Sequence, residues 1–164
     1  MHKLINELIN KNAENFHITQ NIDGLHKNTE HPNNVLELHG NIFNCGCLTC
    51  SFESTTLDFY EKNKNEVDML CPSCLDGLIK VKTISFGQSL NQNILSIAHQ
   101  VSAKAKNFIV LGSSLKVSPA NSFIKVAKAN KAKIIILNKD KTPFDDYADI
   151  VINDDLENIY EQIK

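Results

Sequence analysis

The chain has 164 residues, 42% of them apolar, with a formal net charge of -2 at pH 7 carried by lysines and acids and no arginine. That fits one soluble globular domain with a small inserted module, and it lacks the basic footprint and guanidinium forks of nucleic-acid binding. Apolar blocks such as 108–111 and 134–137 fall far short of the roughly 20 residues a membrane-spanning helix needs, and residues 1–7 lack the pattern of a secretory signal, so neither nucleic acid nor membrane is expected as a partner and the expected location is cytoplasmic.

In chain order, Leu4, Ile5, Leu8 and Ile9 stand at helical spacing and predict an amphipathic helix over 2–11, closed by the polar turn 11–15. Short β-prone runs follow at 16–19 and 35–39, each leading into a polar tip. Residues 83–87 predict an edge strand, and Ile94, Ile97, Ala98 and Val101 mark one face of a helix. Strand 108–111 then meets Gly112-Ser113-Ser114. A helix is predicted with Ser118 as N-cap and Pro119 in first position, then strands at 134–137 and 150–152 and a last helix from about Asp155. Continuous apolar strands alternating with amphipathic helices predict an α/β, doubly wound, mostly parallel, Rossmann-like sheet over residues 1–44 and 78–164. In such sheets ligands bind beyond the carboxyl ends of the strands, where this chain puts Gln20-Asn21, His39, Gly112-Ser113-Ser114 and Asn138.

The intervening segment, 45–77, is expected to be a zinc module. Cys47-x2-Cys50, twenty residues and Cys71-x2-Cys74 have the spacing of a four-thiolate tetrahedral site, which leaves no open coordination position and so implies structural Zn2+. Cys45 falls outside that spacing and reads as a spare thiol. In a reducing compartment the pattern favours metal over disulfides, with redox use of the Cys-x-x-Cys pairs as the weaker alternative.

The run Thr19-Gln20-Asn21-Ile22-Asp23-Gly24-Leu25-His26 offers planar amides and a carboxylate at a strand tip, suited either to a ribose or carboxamide ligand or to an Asx turn. His39, ending an apolar strand before Gly40, is equally open between general base and satisfied core histidine. Ser113 and Ser114 fit a turn cap as well as a cofactor contact.

Taken together with Glu37-Leu38-His39-Gly40, the paired cysteines, Phe86-Gly87, Gly112-Ser113-Ser114-Leu115-x-Val117-x-Pro119-Ala120 and Ile136-Leu137-Asn138, this run resembles the ordered motifs of the sirtuins, NAD-dependent protein-lysine deacylases. The resemblance implies that acyl groups pass from lysine to ADP-ribose with release of nicotinamide, NAD being a consumed co-substrate. It implies His39 as the base acting on a ribose hydroxyl. Gln20, Asn21, Ile22 and Asp23 resemble the nicotinamide and ribose lining. Gly112, Ser113 and Ser114 resemble the adenosine-side ribose and phosphate contacts, Asn138, Lys139 and Asp140 the adenosine-ribose loop, and Asp155 the position beside adenine. Phe86, Gly87, Leu115 and Val117 resemble the segments between which an acyl-lysine peptide lies as an added strand.

The sequence also departs from the family. Gln88 and Val81 replace a usual acid and proline, and the glycine-rich Gly-Ala-Gly-x-Ser loop has no counterpart, Met1-His2 aligning with the helix that follows it. In the family a central strand precedes that loop, between the strands that end here at Gln20 and Gly112. Two unpaired edges are therefore expected, met by a complementing N-terminal segment, by direct pairing of the two half-sheets, or by neither in a truncated product. The alternative to an enzyme is a non-catalytic zinc-containing fragment that binds nucleotide or protein.

Overall fold

The computed structural model describes residues 2–26, 29–64, 68–85 and 87–163, the last without its side chain. Its α/β character follows the sequence pattern. Helix α1 (His2–Lys11) turns Ile9 into the core, and the parallel pair β1 (His17–Thr19) and β2 (Val35–Glu37) follows, with Ile18 opposite Leu36. A second parallel sheet contains β6 (Asn107–Leu111), β7 (Lys133–Leu137) and β8 (Ile150–Ile152), in that order. Its central strand buries Ile134 and Ile136 completely, as an apolar run covered on both faces should.

Helices α3 (Gln92–Lys104), α4 (Ala120–Ala129) and α5 (Leu156–Ile163) complete the α/β part. Asn91 caps α3, its Oδ1 accepting the N–H groups of Asn93 (2.9 Å) and Ile94 (3.2 Å) that the first turn leaves unpaired. Helix α4 starts one residue later than its sequence predicts. Pro119, joined to Ser118 by a cis peptide, is the cap, and its carbonyl accepts both the N–H and the hydroxyl of Ser122.

Between the parallel sheets the chain builds an antiparallel one, in the order β4 (Glu53–Thr55), β3 (Gly40–Cys47), β5 (Ile79–Thr83), with helix α2 (Thr56–Asn63) packed on it. The edge strand predicted at 83–87 is in fact β5, which ends where that prediction begins. Its Ile79, Val81 and Thr83 register against Cys47, Cys45 and Gly40, and past Thr83 the Ile84 N–H bonds back to the His39 carbonyl.

The two parallel sheets do not pair with each other, so the direct-pairing alternative does not hold among the described residues. They share a cover instead. Leu36, Leu38, Ala98 and Phe123 form one buried cluster and Val110, Ile124, Ala127, Ile134 and Ile136 belong to another, and Phe108 of β6 packs against both. Among the described residues, β1 and β6 are each left with one edge unpaired. No helix among the described residues is long and apolar enough to cross a membrane.

Candidate functional site

Parallel strands β1 and β2 end side by side, and the loop after each opens onto one cleft of about 470 Å³, lined by Gln20, Asn21, Ile22, Asp23, His39, Thr83 and Ile84. That volume lies within the usual range for small-molecule sites. The loops are tied by backbone bonds: Leu38 N–H to the Thr19 carbonyl (2.9 Å), Ile42 N–H to Ile22 (3.2 Å) and Ile84 N–H to His39 (2.9 Å). Gly40, at φ +69°, permits the reversal after His39, since a Cβ there would overlap the Lys82 carbonyl oxygen.

His39 Nδ1 lies 3.2 Å from the Gln20 carbonyl oxygen, which can only accept. Nδ1 therefore carries the proton, and Nε2 is left with the lone pair a general base requires. Asp23 does make the Asx turn its sequence allowed, its Oδ1 accepting the Leu25 N–H at 3.1 Å, yet its residue still lines the cleft. Thr83 and Ile84 were not singled out as site residues by the sequence, and the signal that could have found them is a short β run placed to close a strand-tip cleft.

The other expected cofactor residues gather at the tips of β6, β7 and β8. The Gly112 N–H donates to the Leu137 carbonyl, and the Asn138 N–H to Ile152. Asn138 and Asn153 side chains both donate to the Asp140 carbonyl (2.7 and 3.3 Å), and Lys139 pairs with Asp155 at 3.1 Å. Ser113 and Ser114 hydroxyls accept the N–H groups of Leu115 (3.3 Å) and Lys116 (3.5 Å), so both serve a turn. These residues lie on a different sheet from the His39 cleft, and none of them is among its lining residues. Leu115 is buried in the core at φ +53° while Val117 is exposed, so a peptide beside this segment would meet backbone and Val117, not the Leu115 side chain. Gly87 is exposed at φ +82° and Phe86 lies outside the described residues.

The four cysteines form the second site. All four Sγ atoms lie within 4.8 Å of one another, with Cys47 to Cys74 at 3.7 Å and Cys50 to Cys71 at 3.6 Å. Metal–sulfur bonds of about 2.3 Å in a tetrahedron require sulfur separations of about 3.8 Å, close to those found and far from a disulfide of about 2.05 Å. Backbone N–H groups of Thr49, Ser73 and Gly77 donate to Cys47, Cys71 and Cys74 at 3.3–3.4 Å, as thiolates demand. The Thr49 hydroxyl, then the Asp76 and Gly77 amides, pull the Cys74 thiol down to about 6, and Thr49 likewise lowers Cys47. A Cβ at Gly77 would overlap Cys47 Sγ, so the knuckle needs glycine. The residues fit a closed tetrathiolate centre. Cys45 stands apart, buried, with its Sγ near the carbonyls of Ser54 and Thr55.

An α/β fold with a strand-tip cleft and an antiparallel tetrathiolate module finds its counterpart in known proteins. The sequence model of the Sir2 family matches residues 1–119, and the chain belongs to that family. It is 46% identical over 138 residues to an NAD-dependent protein deacetylase of Shouchella clausii, covering 84% of this chain and 54% of that protein. An NAD-dependent protein deacylase of Aquifex aeolicus is 36% identical over 149 residues, covering 91% and 60%. A solved Sir2 with p53 peptide and NAD+ superposes with a TM-score of 0.89 at 35% identity, over 99% of this chain and 67% of that one. A Sir2 bound to a propionylated peptide gives 0.89 at 35% identity, over 99% and 68%. The chain thus spans about half the length of the curated relatives it matches.

Proposed function

We propose that the chain carries the catalytic histidine, the zinc module and half of the cofactor site of an NAD-dependent protein-lysine deacylase, acting in the cytoplasm on acyl-lysine proteins. The observation that carries this reading is the cleft where Asn21, Asp23 and His39 converge, with His39 Nε2 left as the basic nitrogen. NAD, when bound, supplies the ADP-ribose that receives the acyl group. Asn21 and Asp23 orient its nicotinamide end, His39 takes a proton from a ribose hydroxyl, and the tips of β6–β8 hold the adenosine end. The acyl-lysine peptide adds as a strand between the Gly87 segment and residues 115–117, through backbone hydrogen bonds that tolerate varied sequences. Zn2+ on Cys47, Cys50, Cys71 and Cys74 is structural, because four thiolates leave no place for substrate.

Efficient turnover requires, in this reading, a strand and loop supplied by a complementing N-terminal segment. What supports it is the pair of unpaired edges on β1 and β6. Calorimetric titration of the zinc-loaded chain with NAD tests the proposal. Weak binding that Asn21→Ala abolishes, with His39→Ala retaining it, is the expected result. Undiminished binding in Asn21→Ala would sink the assignment of this cleft, and no binding at millimolar NAD would favour the fragment reading, in which the chain serves as a zinc-stabilised module.

A further inference from the structure

Glu37 belongs to β2, two residues before His39, and its side chain is only 19% exposed. Its two carboxylate oxygens hold two different segments. Oε1 accepts from Nε2 of His26, at 2.8 Å, at the end of the loop that carries Asn21 and Asp23; the His26 ring is 1% exposed. Oε2 accepts from Nδ2 of Asn41, at 2.6 Å, at the start of β3.

Neither donor can turn away. Asn41 is fixed because its Oδ1 already receives the N–H groups of Phe43 (3.1 Å) and Asn44 (3.2 Å) and the Asn44 side-chain amide (3.2 Å), which leaves Nδ2 facing Glu37. Among the described residues, the buried His26 Nδ1 has no hydrogen-bond partner, so Nε2 is the nitrogen that anchors the ring. Only a carboxylate accepts on both oxygens. A glutamine of the same shape would turn an N–H₂ group onto Asn41 Nδ2, or onto His26 Nε2, which could accept it only by moving the imidazole proton to the buried Nδ1; either arrangement leaves a buried donor unsatisfied, which is costly.

The clamp bears directly on the cleft. The residue after Asn41 is Ile42, whose N–H reaches the Ile22 carbonyl, so the start of β3 and the loop move together. We propose that Glu37 is a positioning residue whose carboxylate clamps the Gln20–Asp23 loop to the two strands that flank the His39 turn, holding the cleft in the shape that accepts the nicotinamide-ribose end of NAD. The inference rests on the reading of this cleft as an NAD site, and its test separates the two.

The test compares the wild type, Glu37→Gln and the double variant Glu37→Gln/Asn41→Asp. In the double variant the introduced amide donates to the introduced carboxylate, which still accepts the Phe43 and Asn44 N–H groups, and the net charge of the pair is unchanged. Without nucleotide, Glu37→Gln should speed hydrogen exchange at the Ile42 amide about tenfold or more while Leu38, bonded to Thr19, stays near its wild-type rate. The double variant should restore Ile42. Unchanged Ile42 exchange, or equal acceleration at Ile42 and Leu38, overturns the clamp, the second outcome marking a merely structural pair of hydrogen bonds. NAD affinity should fall and recover in parallel, and exchange that responds while affinity does not overturns the positioning role. If the wild type binds no NAD, the cofactor reading fails, and the exchange data still decide the clamp. Should Glu37→Gln not fold, His26→Phe, which keeps the ring and removes one donor, gives the same Ile42 readout.

Discussion

At the scale of single residues, the side chains proposed to carry chemistry were legible where their type is unusual for their place. A histidine closing an apolar strand before a left-handed glycine, and cysteines at zinc spacing, stand out in one dimension. Glu37 does not, because its partners His26 and Asn41 become neighbours only when β2 and the loop after β1 fold together. The same holds for His17. It is half-buried on β1, with its ring edge-on to His26 at a centroid distance of 5.6 Å and its Nδ1 without a partner among the described residues. Burial first, then the neighbouring His26 and His2, lowers its pKa to about 4 from an ordinary 6.5. The unfolded chain therefore binds the His17 proton more readily than the folded one. Stability from this group is fully present above pH 6.5 and lost as pH falls toward 4, a contribution of about 3 kcal/mol. His17→Phe should flatten the stability profile between pH 6.5 and 4 relative to wild type. Zinc release affects both proteins alike, so an unchanged difference between them across that window would show that His17 is not the titrating group.

At the scale of elements, periodicity found α1, α3, α4, α5 and the parallel strands, whose apolar stripes or blocks mark them whether deeply buried, as Ile134 and Ile136 of β7 are, or partly exposed, as in β8. It missed β3, β4, β5 and α2, whose sequences are rich in Asn, Thr, Lys and Cys and bury little. β3 reads Gly-Asn-Ile-Phe-Asn-Cys-Gly-Cys, a composition that suggests loop. These elements are held by ladder bonds and by the cysteine knuckles more than by apolar packing, so the metal should determine whether they persist. The purified chain should carry one zinc per molecule. Chelation should collapse amide protection over β3, β4 and β5 while β6–β8 keep theirs, because the buried cluster around Ile134 and Ile136 includes none of the cysteines. Cys71→Ser should weaken zinc binding more than about 100-fold, the loss of a ligand exceeding that of a supporting hydrogen bond. Uniform protection after chelation, or a metal-free chain with two disulfides, would overturn this division of labour.

At the scale of the whole molecule, the fold class was readable and so was the gap in its sheet, since the family's motif order leaves one strand without a counterpart; whether the two half-sheets pair directly was not readable, because strand pairing is a relation between segments. Among the described residues β1 and β6 each present an unpaired edge, Phe16 and Ile109 near those edges are 39% and 43% exposed, and Phe108 is what links the two core clusters. A parallel strand entering between β1 and β6 would satisfy both ladders and cover apolar surface, whereas either edge left open invites pairing with other chains. A native segment carrying the strand and glycine-rich loop that the family resemblance implies, supplied as a fusion to Met1, should therefore raise the melting midpoint of this chain by about 5 °C or more, equivalent to roughly 1–2 kcal/mol at this size. It should also strengthen NAD binding, since the added strand would adjoin the tips that carry both halves of the proposed cofactor site. A scrambled segment of equal length is the control. Equal stabilisation by the scrambled segment, or none by the native one, would show that β1 and β6 do not form a receptor for a strand and that the two parallel sheets are stable as separate units.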